Sequence, residues 1–114
     1  MVLDARLARF TSALRDEGLW PPAVPSPVLV ECLRGHAGRD ANENRFLKTC
    51  DIVDLIPERL ARRAAALRRA ARRGSAIDGL VVASAEPGGT VLTSDPRDVQ
   101  ALASYADGVH VVRV

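Results

Sequence analysis

Apolar positions recur at two spacings along the chain, and their alternation predicts the elements. Leu3, Leu7, Phe10 and Leu14 stand at helical spacing, so residues 3–17 read as an amphipathic helix ended by Gly18. The proline-rich stretch from Trp20 to Pro25 leaves room for a very short strand around Ala23 and Val24. Ser26 and Pro27 form an N-cap and first-turn pair that opens the helix VLVECLRG, stopped by Gly35. Residues 36–38 read as a turn, and Asp40 to Lys48 as another helix. The β-branched run CDIVDLI at 50–56 predicts a strand. Pro57 starts a long Ala/Arg helix that ends at Gly74. Ser75 caps a further helix, AIDGLVVASAE, stopped by Pro87, Gly88 and Gly89. TVLTS at 90–94 is a short apolar strand, and Asp95 with Pro96 starts a helix reaching about Ala106. After the Asp107–Gly108 turn, VHVVRV is the closing strand. Strands that alternate with helices imply an α/β domain with a small, mostly parallel sheet flanked by helices on both faces.

Composition narrows this picture without redirecting it. The 114 residues make a single domain, residues 1–114, with 47% apolar and 26% charged residues. Aromatics are only 4%, so Ala, Val and Leu must build the core. No apolar run approaches the roughly 20 residues that cross a bilayer, and MVLDARLARF lacks the pattern of a signal peptide. The expectation is a cytoplasmic protein with no membrane partner. Cys32 and Cys50 do not form a C-x-x-C pair and read as core thiols. Cys32 and His36 have i,i+4 spacing, but a zinc site with Cys50 and His110 would need long gaps between its ligands. His110 alternates with valines and reads as a sheet residue.

Charge is distributed unevenly. Net charge is only +2, yet seven arginines (59, 62, 63, 68, 69, 72 and 73) and no acid lie between Arg59 and Arg73. From Ser75 to Val114 there are five acids against two arginines. The first segment would attract a phosphate polymer, and part of the second a divalent cation. Arg62, Arg63, Arg69, Arg72 and Arg73 are equally the solvated face of a helix that packs its Ala and Leu inward, or a dimer rim.

Three acids carry the candidate chemistry. In an open parallel sheet the ligand site lies beyond the carboxyl ends of the strands, and Asp95 directly follows TVLTS. Asp78 lies in the first turn of the helix leading into that strand, and Glu31 sits inside the apolar run VLVECL. Carboxylates brought together repel unless a cation holds them ionised, which Mg²⁺ or Mn²⁺ does through oxygen ligands. Such an ion activates a water against a phosphodiester. Structural roles compete. Ser75 and Asp78 have the spacing of a capping box, and Asp95 is an N-cap residue with Pro96 and Asp98 behind it. Glu31 lies too deep in its helix to cap it, and its structural alternative is pairing with Arg34 at i,i+3.

The order of these segments resembles the PIN-domain family, and the VapC-type toxins of bacterial toxin–antitoxin pairs in particular. The resemblance covers roughly residues 20–114, from VPSPVLVECLRG through NRFLKTCDIVDLIPERLARRAAALRRAARRG to the last forty. Its most specific parts are I-D-G-L-V-V-A and L-T-S-D-P-x-D. It implies a PIN-like three-layer fold and a Mg²⁺- or Mn²⁺-dependent endoribonuclease. By position Glu31, Asp78 and Asp95 match the family's metal-site acids, and Asp98 a fourth acid of some members. Thr93 and Ser94 would line the site. The implied partners are RNA as substrate, a cognate antitoxin protein and a second copy of the chain. The family begins with a central strand ending in aspartate, and here two readings stand. MVLD is a shortened first strand with Asp4 as that ligand, or residues 3–17 are the family's second helix and the first strand is missing. The helical spacing favours the second. A chain without that strand would be a weakly active enzyme, a piece of a longer protein, or a catalytically inactive PIN-like module that binds an antitoxin or dimerises.

Overall fold

The structure, a computed structural model, describes residues 2–3, 11–16 and 18–113. Among the described residues the chain runs β1 (Val2–Leu3), α1 (Thr11–Asp16), β2 (Ala23–Pro25), α2 (Val28–Cys32), α3 (Ala37–Leu47) and β3 (Asp51–Val53). It continues through α4 (Glu58–Ala71), α5 (Ala76–Ser84), β4 (Thr90–Thr93), α6 (Pro96–Ala103) and β5 (His110–Arg113). The strands form one sheet in the order β3-β2-β1-β4-β5, and every pairing is parallel. The α/β class with a parallel sheet is therefore as expected.

The start of the chain departs from the favoured reading. Val2 and Leu3 are strand, with Val2 paired to both Ala23 and Val91, and Leu3 to Leu92. Among the described residues the helix spans Thr11–Asp16, and Leu3 is not part of it. Helical spacing is a local signal, and pairing with two neighbouring strands overrides it at the two residues concerned. Among the described residues the chain therefore has a strand at Val2–Leu3, which lies in the middle of the sheet between β2 and β4. Leu7, Phe10 and Asp4 lie outside the described residues.

Smaller differences concern helix ends. Pro27, not Ser26, holds the N-cap position of α2, whose helical residues stop at Cys32. The α3 helix opens at Ala37, with His36 at its N-cap, so the expected turn at 36–38 is already helical. The α6 helix stops at Ala103.

The order places a topological switch point beside β1. From β1 the chain moves to β2 and β3 on one side, then crosses to β4 and β5 on the other. Right-handed crossovers put the connections of the two halves on opposite faces. The core draws on both: Val24, Val91 and Leu92 from strands, Leu14, Val28 and Leu47 from one half, Leu67, Val82, Val99 and Leu102 from the other. Among the described residues Trp20 stands edge-on to Phe46 at 5.9 Å, with the Arg15 guanidinium 4.8 Å over the Trp20 ring.

The helices α4 and α5 are joined by four residues and pack as an antiparallel hairpin. Gly79 permits the close approach: a Cβ there would stand 3.1 Å from the Ala64 carbonyl oxygen and 3.0 Å from Arg68 Cγ. Because α5 leads into the start of β4, its N-terminus lies at the carboxyl edge of the sheet, and so does the C-terminus of α4. The opposite end of the hairpin is clamped. Arg63 donates through Nε and Nη2 to Glu86 Oε1 and Oε2, both at 2.8 Å, and the Asp107 N–H donates to Glu86 Oε2 at 2.7 Å. This bidentate pair holds α4 against the turns that enter β4 and β5.

The clamp makes stability depend on pH. The Arg63 guanidinium holds the Glu86 carboxyl below its ordinary range, against the opposing effect of burial. A carboxyl whose folded pKa is depressed adds stability above its unfolded pKa and loses it as pH falls through the folded value. Glu86→Gln is expected to lower the thermal midpoint at pH 7. The gap from the parent protein should close as pH falls below about 4. Thermal melts of both proteins across pH check this; a gap that stays constant would remove the charge from the account.

Candidate functional site

Sheet connectivity brings the candidate acids to one edge. The α2 helix starts two residues after β2 ends, which puts Glu31 beyond the carboxyl end of β2. Asp78 lies in the first turn of α5, at the same edge. Asp95 follows β4 by one residue and occupies the N-cap position of α6, and Asp98 stands in the first turn of α6. The switch point between β1 and β4 opens onto this edge, where ligands of open parallel sheets bind. The residue following β1 in sequence is Asp4, which lies outside the described residues.

Each acid has its own surroundings. Asp78 is half-buried, and its Oδ2 accepts the Ser75 N–H at 3.0 Å while Ser75 Oγ accepts the Asp78 N–H at 3.0 Å. The capping box expected from the spacing is present. An ionised carboxylate has about four lone-pair sites, so one such bond leaves capacity for a ligand. Ser75→Ala is expected to cost about 1 kcal/mol in denaturant unfolding, the usual worth of an N-cap; no change would mean the box adds nothing.

Asp95 is exposed, and its side chain makes no capping hydrogen bond to α6. The N-cap reading therefore holds for its position and not for its carboxylate. Its backbone is fixed from below: the Asp95 N–H donates to Thr93 Oγ1 at 3.1 Å. Thr93 is fully buried at the end of β4, so a rigid strand sets where Asp95 leaves the sheet. Asp98 accepts from Arg73 Nε at 2.8 Å, tying α6 to the end of α4. Glu31 is half-buried. Arg34 reaches back to the Glu31 backbone carbonyl, through Nε at 2.9 Å, so the expected i,i+3 contact meets the main chain.

Among the described residues, no three His, Cys, Asp or Glu side chains stand close enough to hold one ion. That covers the zinc combination of Cys32, His36, Cys50 and His110, and equally the expected metal acids Glu31, Asp78 and Asp95, which share one edge of the sheet without forming a single ligand group. Burial also pushes the Cys50 thiol up to about 11, which keeps it protonated at neutral pH, and its Sγ lies 3.5 Å from the Phe46 carbonyl oxygen. Cys32 is a buried core thiol, as expected. The donor chemistry at the carboxyl edge is all carboxylate oxygen, the set that suits Mg²⁺ or Mn²⁺ and not zinc.

Two pairings at the ends of the hairpin have no local sequence signal. Arg63–Glu86 and Arg73–Asp98 join residues 23 and 25 positions apart. Arg62, by contrast, pairs with Glu58 at i,i+4 and could be read directly. Among the described residues no helix is long and apolar enough to cross a membrane. Compared with models of protein families and with curated proteins, the chain matches none.

Proposed function

We propose that the protein is a PIN-like, VapC-type endoribonuclease, the toxin of a bacterial toxin–antitoxin pair, working with Mg²⁺ or Mn²⁺ in the cytoplasm. One coincidence supports this reading above all. The acids matched by the family resemblance, Glu31, Asp78, Asp95 and Asp98, fall at the carboxyl edge of a parallel sheet ordered β3-β2-β1-β4-β5, around its switch point. Four acids scattered over 68 residues of sequence had no need to share an edge.

In this reading Glu31, Asp78 and Asp95, which do not form one ligand group in the structure, would converge on the ion when it binds, and Asp98 would assist. A bound divalent ion supplies a Lewis acid for the phosphate oxygen and lowers the pKa of water. The chain's own residues set the geometry. Thr93 fixes the backbone from which Asp95 projects, Ser75 orients Asp78, and Arg73 orients Asp98. Water attacks phosphorus, the bond to the 3′ oxygen breaks, and the products carry a 3′-hydroxyl and a 5′-phosphate.

A protein partner is supported by exposed apolar side chains, four of which belong to the β2–β3 half of the molecule, while Tyr105 and Val112 are exposed on the other half. Val30 on α2, Leu33 just after it, Val53 on the edge strand β3, and Leu55 two residues beyond are exposed. An antitoxin or a second copy would cover such a surface.

A second reading has its own observation. Asp78 is engaged in the capping box and Asp98 in the pair with Arg73, so both acids have structural work without a metal. The molecule is then an inactive PIN-like module that binds an antitoxin or dimerises. Incubation of single-stranded RNA with the protein, in Mg²⁺, Mn²⁺ or EDTA, separates the two. The enzyme reading expects cleavage that requires the ion and leaves 5′-phosphate ends. Intact RNA in all three conditions, or cleavage that persists in EDTA, would overturn it.

A further inference from the structure

The corner where α4 meets α5 carries a surface groove of about 490 Å³, lined by Ala65, Arg68, Arg69, Arg72, Arg73 and Gly74. Four guanidinium-bearing side chains face one opening. Two are steadied from behind: Arg68 Nε donates to the Gly74 carbonyl at 3.1 Å, and Arg73 Nε to Asp98 at 2.8 Å. Arg69 and Arg72 are exposed, and among the described residues no carboxylate pairs with either. Arg72 adopts the left-handed conformation, φ 56°, as the last residue of the helix turns out of line.

This charge exceeds what the fold needs. Cations do stabilise a helix C-terminus, but the macrodipole there amounts to about half an elementary charge. Four arginines against one aspartate leave a strong positive field that an anion would relieve. The amino-edge end of the same helix is arranged differently: Arg62 and Arg63 are both paired with glutamates. Arg59, also at that end, is exposed and stands outside the groove, so what sets the carboxyl edge apart is that four arginines line one opening.

We propose that this groove seats the phosphate backbone of single-stranded RNA and leads the strand onto the acidic edge. The proposal rests on the ribonuclease reading and names where its substrate lies. Planar guanidinium forks match phosphate bidentately, and four helical residues advance about 6 Å, so the groove meets more than one phosphate of a strand. The Arg73–Asp98 bond joins the groove to α6, whose first turn directly follows Asp95. An RNA strand held by Arg69 and Arg72 therefore lies beside the residues assigned to cleavage.

The test measures binding without cleavage. A short fluorescein-labelled single-stranded RNA is titrated with the full chain in EDTA, by anisotropy, over a series of salt concentrations. The comparison is between the parent protein, Arg69→Gln/Arg72→Gln, and Arg62→Gln on the same helix outside the groove. Glutamine keeps most of the aliphatic stem, and circular dichroism checks that each variant is folded. The expected result is a loss of about tenfold or more in the double variant, with a shallower salt dependence, by about 1.4 in the log–log slope for two phosphate contacts. Arg62→Gln should bind within about twofold of the parent, since it lies away from the groove. No RNA binding by the parent protein, equal losses in both variants, or an unchanged double variant would each overturn the groove. So would poly-glutamate displacing the RNA more effectively than unlabelled RNA does, which would assign the groove to an acidic protein. Binding through the groove with no ion-dependent cleavage would remove the ribonuclease reading and leave the groove standing. Ion-dependent cleavage that is unaffected in the double variant would do the reverse.

Discussion

Asp95→Asn is expected to reduce Mg²⁺- or Mn²⁺-dependent RNA cleavage by about 100-fold or more, without unfolding the protein. The magnitude follows from the role. An ion held at a phosphodiester contributes several kcal/mol to the transition state, and each 1.36 kcal/mol is a factor of ten in rate. Removing one charged oxygen ligand forfeits a large share of that. The fold should tolerate the change, because Asp95 is exposed and asparagine has nearly the same size and shape. Asparagine is also as good an N-cap residue as aspartate. The bond from the Asp95 N–H to Thr93 Oγ1 involves the backbone and survives the change. Single-turnover cleavage of a labelled RNA, with thermal melting as control, makes the comparison. Equal activity in the two proteins would remove Asp95 from the site.

Leu67→Ala is expected to be the most damaging change to stability. Leu67 is 1% exposed in the middle of α4 and belongs to the main core. Truncating a buried leucine costs about 2–5 kcal/mol, from lost burial and the cavity left behind. For a domain of this size that lowers Tm by about 10 °C or more. The cost should be high because the neighbours cannot close the gap. At Gly79 the helices are already so close that a Cβ there would stand 3.1 Å from the Ala64 carbonyl oxygen, and the Arg63–Glu86 pair clamps the amino-edge end of the same helix. Leu55→Ala is the contrast: its side chain is 81% exposed, and its truncation should change stability by less than about 0.5 kcal/mol. Thermal or urea unfolding of the two variants checks both; comparable losses would mean that α4 is not packed as described.

The hairpin of α4 and α5 is legible in the sequence because its signals are local. Pro57 starts one helix, Gly74 ends the linker and Ser75 caps the next, and the capping box falls on the residues whose spacing predicts it. The TVLTS strand and its helix are legible for the same reason, with Pro96 in the first turn of α6. The strand Val2–Leu3 is not, because two residues carry no period of their own and are specified by partners some twenty and ninety positions away. Helical spacing from Leu3 to Leu14 therefore misleads at its first residue. The start of α2 is blurred in the same way, since the four prolines around β2 (Pro21, Pro22, Pro25 and Pro27) allow more than one N-cap position.

The candidate site divides along the same line. Sequence order alone places Asp95 and Asp78, because a strand end and a helix start are local features. What holds them is non-local. Arg73 meets Asp98 across 25 positions, and the sheet order that brings Glu31 to the same edge depends on every crossover in the chain. The arginine run is visible as composition, yet only the fold shows which of its members pair with glutamates and which line one groove.

The most direct test of a divalent-metal site at the carboxyl edge is a calorimetric titration of the protein with Mn²⁺. The parent protein should show one saturable site, weakened at least about tenfold in Glu31→Gln and in Asp95→Asn, the range seen when groups supporting a metal are lost. No saturable binding by the parent, or equal binding by all three proteins, would contradict it.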